Sequence, residues 1–521
     1  MVAHSLTSDA YPPAVDEGEK QRLVEVIKDW TVANGLTVRP PPTLVAVGAD
    51  PSGVLATSVP VTLFPSPFPQ VCFDQAKGVQ RAYNELYAKV SQDEQFLSFI
   101  VQEVGDGDEF IANLWKVHCR VKEEGYVQDL SFGLFRSDYM VHEDPSDAAA
   151  GLQVKQVEFN TIASSFGGLS TQTCRLHKFL ADTEYPYFKE AGVHTKQNLP
   201  ANDSVQGLAA GMEAAFKAYP KSELDLETCV IFLVQDGERN VFDQRHVEYA
   251  LGKSSTTSRI PVFRLPFSET LQRTRVANTP QRQLIYSLPS NPDKKFEVAV
   301  IYMRCGYGPG DYPDTNAWDA RYHLERSAAI KCPSVLTQLA GAKKVQQILA
   351  MPKLDPSAPS ELSRFIPEDS QAWKDLWATF TNIFPMDDSE GGQAARKLAL
   401  DSESCQRYVL KPQREGGGNN CYKAAIPPFL KELPEAHWKS YILMELITPP
   451  PVNNIILRNG QLEQGGVICE LGVYGSCVWN QRTGKILHNE EAGYLLRTKG
   501  DQSEEGGVAA GFGCMDSCNL V

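Results

Sequence analysis

Residues 16–34 open on acids and then place Leu23, Val26, Ile27 and Trp30 at the spacing of one helical face, which predicts an amphipathic helix at the start of the folded part. Residues 1–15 carry no such pattern and read as a flexible tail. From Thr43 to Phe73 the apolar positions come in short runs broken by prolines, the pattern of irregular strands and loops. A helical stretch follows over about Asp74 to Val104. Alternating or continuous apolar runs then recur at Val154–Phe159, Cys229–Val234, Val298–Met303, Tyr408–Leu410, Tyr441–Ile447 and Gly466–Leu471, with helix-like spacing between several of them. Together these predict a mixed α/β fold. Pro352–Ser363, rich in proline and serine, and Asp387–Gly392, acidic with glycines, read as surface connections, and no internal repeat is visible.

Composition adds size and exclusions. The chain has 521 residues, 42% hydrophobic and 22% charged, which suits a globular protein of two to four domains with substantial cores. Fifty basic against 64 acidic residues leave a net charge of -14, which repels phosphate backbones and anionic lipid, so nucleic acid is not an expected partner. No apolar run is long enough for a membrane span, and no leader pattern opens the chain, so no membrane association is expected. The twelve cysteines are scattered without a CxxC pair, which suggests neither a zinc site nor a disulfide framework and points to the reducing cytoplasm. The final Cys518-Asn-Leu-Val521 resembles a prenylation box only superficially, since no polybasic stretch precedes it.

The strongest chemical signal is Lys411-Pro-Gln-Arg-Glu-Gly-Gly-Gly-Asn-Asn420, directly after the strand-like Tyr408–Leu410. Gly416, Gly417 and Gly418 permit positive φ and close backbone approach, so the loop can turn its N–H groups toward a phosphate chain. Lys411 and Arg414 add positive charge, and Glu415 can hold magnesium against the phosphates. A flexible surface turn is the plainer alternative, but it has no use for two cations, a carboxylate and the Asn419 and Asn420 amides in ten residues. In Gln156–Thr161 the alternation puts Glu158 and Asn160 on one strand face, two hard oxygen ligands pointing together. The residues alone leave open that Asn160 caps the following turn and Glu158 is an exposed acid. Neither GxxxxGK[ST] nor a placed GxGxxG occurs, so the nucleotide site is of another design. Tyr441–Ile447 reads equally as an adenine-pairing hinge or a buried strand, and Glu470, Arg497 and Lys499 read together as a polar cluster at apolar strand ends, though each taken singly reads as a surface charge.

Taken together, these motifs resemble the eukaryotic glutathione synthetase family, ATP-grasp ligases that join γ-glutamylcysteine to glycine. The resemblance rests on Glu158-Phe-Asn-Thr-Ile162 with Ser165-Phe-Gly-Gly168, Glu238-Arg-Asn-Val-Phe-Asp-Gln244, Arg304-Cys-Gly-Tyr307, Gln338–Gln347, the Lys411–Asn420 loop, Leu495-Leu-Arg-Thr-Lys499 and Gly506-Gly-Val-Ala-Ala-Gly511, in family order. It implies an ATP-grasp fold with residues 16–228 and 342–521 as the catalytic body, a Gly-rich lid over about 408–447, and a smaller α/β substrate-binding domain inserted at 229–341. It implies magnesium on Glu158, Asn160 and Glu415. ATP would be held by Lys343, Lys411, Gly416, Gly417, Gly418, Asn419, Asn420, Tyr422, Met444, Glu445, Leu446, Ile447, Glu470 and Lys499.

The peptide substrate would be held by Arg136, Ser164, Ser165, Glu238, Arg239, Asn240, Gln244, Arg304, Cys305, Gly306, Tyr307, Arg497, Val508 and Ala509. Arg136 and Arg497 would stabilise charge during the reaction, because a guanidinium fork suits carboxylate or phosphate oxygens, and Lys411 is implied as a catalytic residue beside them. A homodimer in the cytoplasm, acting on small-molecule substrates, is also implied. Ala163 and Glu505 depart from the family pattern, which has a serine and an aspartate there, and the Pro352–Ser404 region is longer than the pattern and has no functional reading. A same-fold ligase using β-alanine or serine, or an inactive nucleotide-binding relative, is the alternative.

Overall fold

The structure is a computed structural model that describes residues 11–46, 48–144, 151–183, 198–253, 259–351, 359–415, 418–503, 508 and 513–521. The first helix spans Glu17–Ala33, capped by Asp16, which accepts from the Glu19 N–H, and it buries Leu23, Ile27 and Thr31. Tyr11 and Val15, within the segment read from sequence as a tail, are also buried, and the Tyr11 hydroxyl donates to the Pro65 carbonyl. A lone aromatic and a lone valine leave no periodic trace, so only their burial marks them. The predicted helix over 74–104 is two helices, Gln70–Gln92 and Glu94–Val104, because Asp93 leaves helical geometry and caps the second by accepting from Phe96 N–H at 2.9 Å.

Among the described residues, seven strands form the large sheet in the order Val452–Arg458, Val61–Thr62, Gly513–Asp516, Ile486–Gly500, Gln461–Asn480, Leu130–His142 and Gln153–Asn160. Val452–Arg458 also pairs with Gln461–Asn480, closing that end of the sheet on itself. The two residues joining them, Asn459 and Gly460, have φ of 51° and 78°, the left-handed pair a tight hairpin requires. At the other edge Phe159 stacks on Tyr87, ring centroids 3.8 Å apart, on the face opposite Glu158 and Asn160. A one-residue slip would exchange the two faces, so this buried aromatic fixes which side chains reach the site.

A second sheet is built from strands between residues 228 and 332. Thr228–Val234 lies between Val262–Pro266 and Asn291–Met303, all parallel, and Ile330–Cys332 adds in parallel. Leu284–Leu288 and Thr274–Val276 extend it antiparallel. Its side chains Ile231, Leu233 and Met303 enter the same apolar cluster as Phe135 and Tyr139 of the large sheet. A third, wholly antiparallel sheet runs Ile383–Pro385, Ile442–Glu445, Tyr408–Lys411, Cys421–Tyr422 and packs on its own small core of Met386, Leu410, Ile426, Leu430, Trp438 and Leu443. Part of Asp387–Gly392, read as a connection, therefore carries structure, since Ser389 caps the helix Glu390–Leu400, and Ile383–Pro385, in the region without a functional reading, is an edge strand. Residues 352–358 lie outside the described residues. Cys518 is buried in the strand Cys518–Leu520, parallel to Ser66–Phe68.

Candidate active site

Cross-strand register assembles one face of the large sheet. Arg136 stands opposite Asn160, Asp138 opposite Glu158 and Gly472, Tyr474 opposite Arg136, and Glu470 opposite Arg497. Residues two apart on a strand share a face, so Glu158, Asn160, Arg136, Asp138, Glu470 and Arg497 project together. Asp138 is fully buried at their centre. Arg136 lays Nε and Nη2 against its two oxygens at 2.6 and 2.7 Å, Arg497 Nη2 lies 3.1 Å from Oδ2, and the Asn160 amide nitrogen donates to Oδ2 at 3.1 Å. Arg497 also bonds Glu470, whose carboxyl is pushed up by burial against the pull of Arg497. Gly472 makes room for this packing: a Cβ there would stand 2.8 Å from Asp138 Oδ1 and 2.9 Å from Arg136 Cδ.

Lys343, at the start of the buried helix Lys343–Leu349, reaches the same face. Its Nζ is 3.0 Å from Glu158 Oε2 and 3.4 Å from both oxygens of Glu415. Burial works against charge on Glu158, but Lys343 and then Lys411 hold its carboxyl well below the usual carboxylate range. Burial pushes Glu415 up to about 7, since Lys343 is shared and Glu158 adds a like charge. One ammonium thus faces two carboxylates. Lys411 is buried, donates to the Val157 carbonyl at 3.0 Å, and is lowered by burial to about 8 although Glu158 lies near. Arg414, counted in the sequence reading as part of the loop's positive charge, pairs instead with buried Asp108. That carboxylate needs a counter-charge once removed from water.

The remaining nucleotide candidates follow the third sheet. Met444 and Glu445 lie on its strand Ile442–Glu445, with Leu446 N–H donating to Arg407 O at 2.8 Å. The Glu445 carboxylate accepts from Asn382 at 2.7 Å and Arg407 at 3.3 Å. Gly418 has φ 75° and is exposed, as is Asn419, and Asn420 donates to the Tyr422 hydroxyl at 3.3 Å. Lys499 is half-buried two residues beyond Arg497 on the same face. Gly416 and Gly417 lie outside the described residues.

The peptide candidates gather around the loop after Asn160. Ala163 and Phe166 have φ of 52° and 75°. The Ser165 carbonyl accepts from Arg136 at 3.2 Å and Tyr474 Oη at 2.6 Å, and the Ala163 carbonyl accepts from Arg304 at 2.5 Å. Asp243 fastens the loop's end, accepting from the N–H groups of Phe166, Gly168 and Leu169 at 2.8, 2.7 and 3.2 Å. Glu238 accepts from the Asn240 N–H and the Gln244 amide, both at 2.7 Å. Gln338 holds the Gly306 carbonyl at 2.7 Å, and Tyr307 Oη accepts from Gln235 at 3.0 Å. The buried atoms without a partner among the described residues include Arg304 Nε, Arg497 Nε, Asn240 Oδ1 and Gln338 Oε1. Buried polar atoms demand partners, so these donors and acceptors suit a polar ligand.

Three sequence candidates turn elsewhere. Arg239 donates to the Arg39 carbonyl, Ser164 to the Leu134 carbonyl, and Cys305 is fully buried with Sγ 3.5 Å from Leu233 O. Val508 is buried, and Ala509 lies outside the described residues. Sequence reasoning missed Asp138, Asp243, Tyr474 and Gly472. Asp138 was signalled by its alternation with Arg136, and Asp243 lies inside the Glu238–Gln244 motif.

The model of the eukaryotic glutathione synthase ATP-binding domain matches residues 17–520. The large chain of glutathione synthetase from Schizosaccharomyces pombe is 39% identical over 494 residues, covering 89% of this chain and 92% of that protein. Glutathione synthetase from Homo sapiens is 37% identical over 505 residues, covering 96% and 97%. A glutathione synthetase-like effector from Globodera pallida, solved in its apo form, superposes with a TM-score of 0.73 at 23% identity, covering 99% of this chain and 100% of that one, and shares the fold.

Proposed function

The chain belongs to the eukaryotic glutathione synthase family, and from that premise we propose that it makes glutathione by joining γ-glutamylcysteine to glycine with ATP, through an acyl phosphate. The observation that carries this is the partly buried face on which Lys343, Glu158 and Glu415 meet beside Arg136 and Arg497. ATP would phosphorylate the cysteinyl carboxylate, and glycine's amine would attack the acyl carbon and expel phosphate. Lys343, Lys411 and Lys499 supply positive charge to the phosphates. Arg497, with Nε unpartnered, supports charge at the reacting carboxylate, and Arg136 supports it through the pair it makes with Asp138. The unpartnered donors and acceptors of Arg304, Asn240 and Gln338 suit the polar ends of the peptide.

Magnesium fits the donor set. Glu158 and Glu415 offer hard carboxylate oxygens, and the Asn160 amide nitrogen is tied to Asp138 and Arg136 O, which leaves its oxygen as the ligating end. Among the described residues no third His, Cys, Asp or Glu joins them, so phosphate oxygens would complete the coordination. When bound, magnesium neutralises phosphate charge.

Family membership also supports the division into a body of 16–228 and 342–521, a lid over about 408–447 and an inserted domain at 229–341, together with a cytoplasmic homodimer. Among the described residues no helix is long and apolar enough to cross a membrane. The test is ADP release with γ-glutamylcysteine and glycine, β-alanine or serine: release that needs glycine supports the reading, and none with any amine refutes it.

A further inference from the structure

The residue that follows the hinge segment, Thr448, is held at both backbone groups by consecutive residues next to the large sheet. Its N–H donates to His142 Nδ1 at 3.1 Å, and its carbonyl accepts from the Glu143 N–H at 2.9 Å. His142 closes the strand Leu130–His142 that carries Arg136 and Asp138. On the other side Pro449, Pro450 and Pro451, each with φ fixed by its ring, lead into Val452–Arg458 of the large sheet. The third sheet packs one face on its own small core, and Thr448 is where the hinge leaves that sheet and is fastened to the other.

We propose that His142 is a positioning residue for the nucleotide: by accepting from Thr448 it fixes the end of the Met444–Ile447 segment, and so tightens ATP binding without touching ATP. This rests on the ATP-dependent reading of the site given above. Accepting at Nδ1 requires an unprotonated nitrogen there. The groups facing the ring are Lys155 on the neighbouring strand, Asp144 in the following segment and Glu445 on the hinge strand. Burial and then Lys155 hold the imidazole below its ordinary range, against Asp144 and Glu445. Protonation would set one donor against another and release the hinge end.

Steady-state kinetics of the full chain test this. His142→Phe removes the acceptor and should raise KM for ATP about three- to tenfold, the effect of one hydrogen bond, while kcat and KM for γ-glutamylcysteine move less than about twofold. His142→Gln, whose side-chain oxygen can accept, should restore most of the loss. Below about pH 6.5, where the lowered imidazole takes up its proton, the KM for ATP should rise more steeply in the unaltered enzyme than in His142→Gln, which has no imidazole to protonate. An unchanged KM for ATP in His142→Phe, equal rises for both substrates, or parallel pH profiles would each overturn the assignment. Ligation without ATP by the unaltered enzyme would instead overturn the reading beneath it, and is seen before any variant is made.

Discussion

Arg136 and Asp138, two positions apart on one strand, close a bidentate ion pair at 2.6 and 2.7 Å in a fully buried setting. Residues i and i+2 on a strand ordinarily stand side by side, and here the neighbouring position, Gly472, has no side chain to separate them. The Asp138 carboxylate also serves Arg497 and Asn160, so one acid orients two guanidinium groups and a candidate metal ligand.

Gly472→Ala should therefore damage activity through this pair. Its methyl would enter contacts of 2.8 and 2.9 Å, an overpacking effect of about 1 to 3 kcal/mol. Gly465→Ala, on the same strand with nothing within 4 Å of the added atom, is the control. Thermal melting and turnover of both variants decide the matter. Equal behaviour of the two would show that the space beside Asp138 does not matter.

Glu158→Gln and Glu415→Gln should each keep the fold and lose about a hundredfold in turnover, on the order of 3 kcal/mol, because phosphate charge is left less compensated. Turnover near normal at ordinary magnesium concentration in either variant would remove that residue from the metal site.

Lys411→Met should weaken ATP far more than γ-glutamylcysteine. Methionine keeps much of the length of lysine without its charge. Calorimetric titration with each ligand separates the cases, and equal losses for both would place Lys411 outside the nucleotide site.

Glycine should be preferred over β-alanine by roughly ten- to two-hundredfold in kcat/KM, the worth of one methylene in a fitted pocket. The expectation comes from the small side chains of Ala509 and Ala510 in the motif Gly506–Gly511, where the family resemblance implies substrate contacts at Val508 and Ala509 and where only Val508 is among the described residues. Competition between the two amines at limiting concentration gives the ratio directly, and equal incorporation would refute the argument from the loop.

The sequence by itself determined the features that depend on neighbours along the chain. Alternation put Glu158 and Asn160 on one face, and the structure keeps them there with Phe159 buried behind. Periodicity located the first helix, and the apolar runs located the strands carrying Lys411, Met444 and Glu470. Tertiary structure alone decided which groups meet. Lys343 joins Glu158 and Glu415, 185 and 72 residues away, and Arg414 pairs with Asp108, 306 residues away. Tyr11 packs in the core from outside any periodic segment, and Asp243 fastens a loop 75 residues earlier. Periodicity reports only which way a side chain points from its own strand or helix. The partner a buried charge finds depends on how sheets and helices from distant segments pack, and each buried charge or polar group must find one because water is gone.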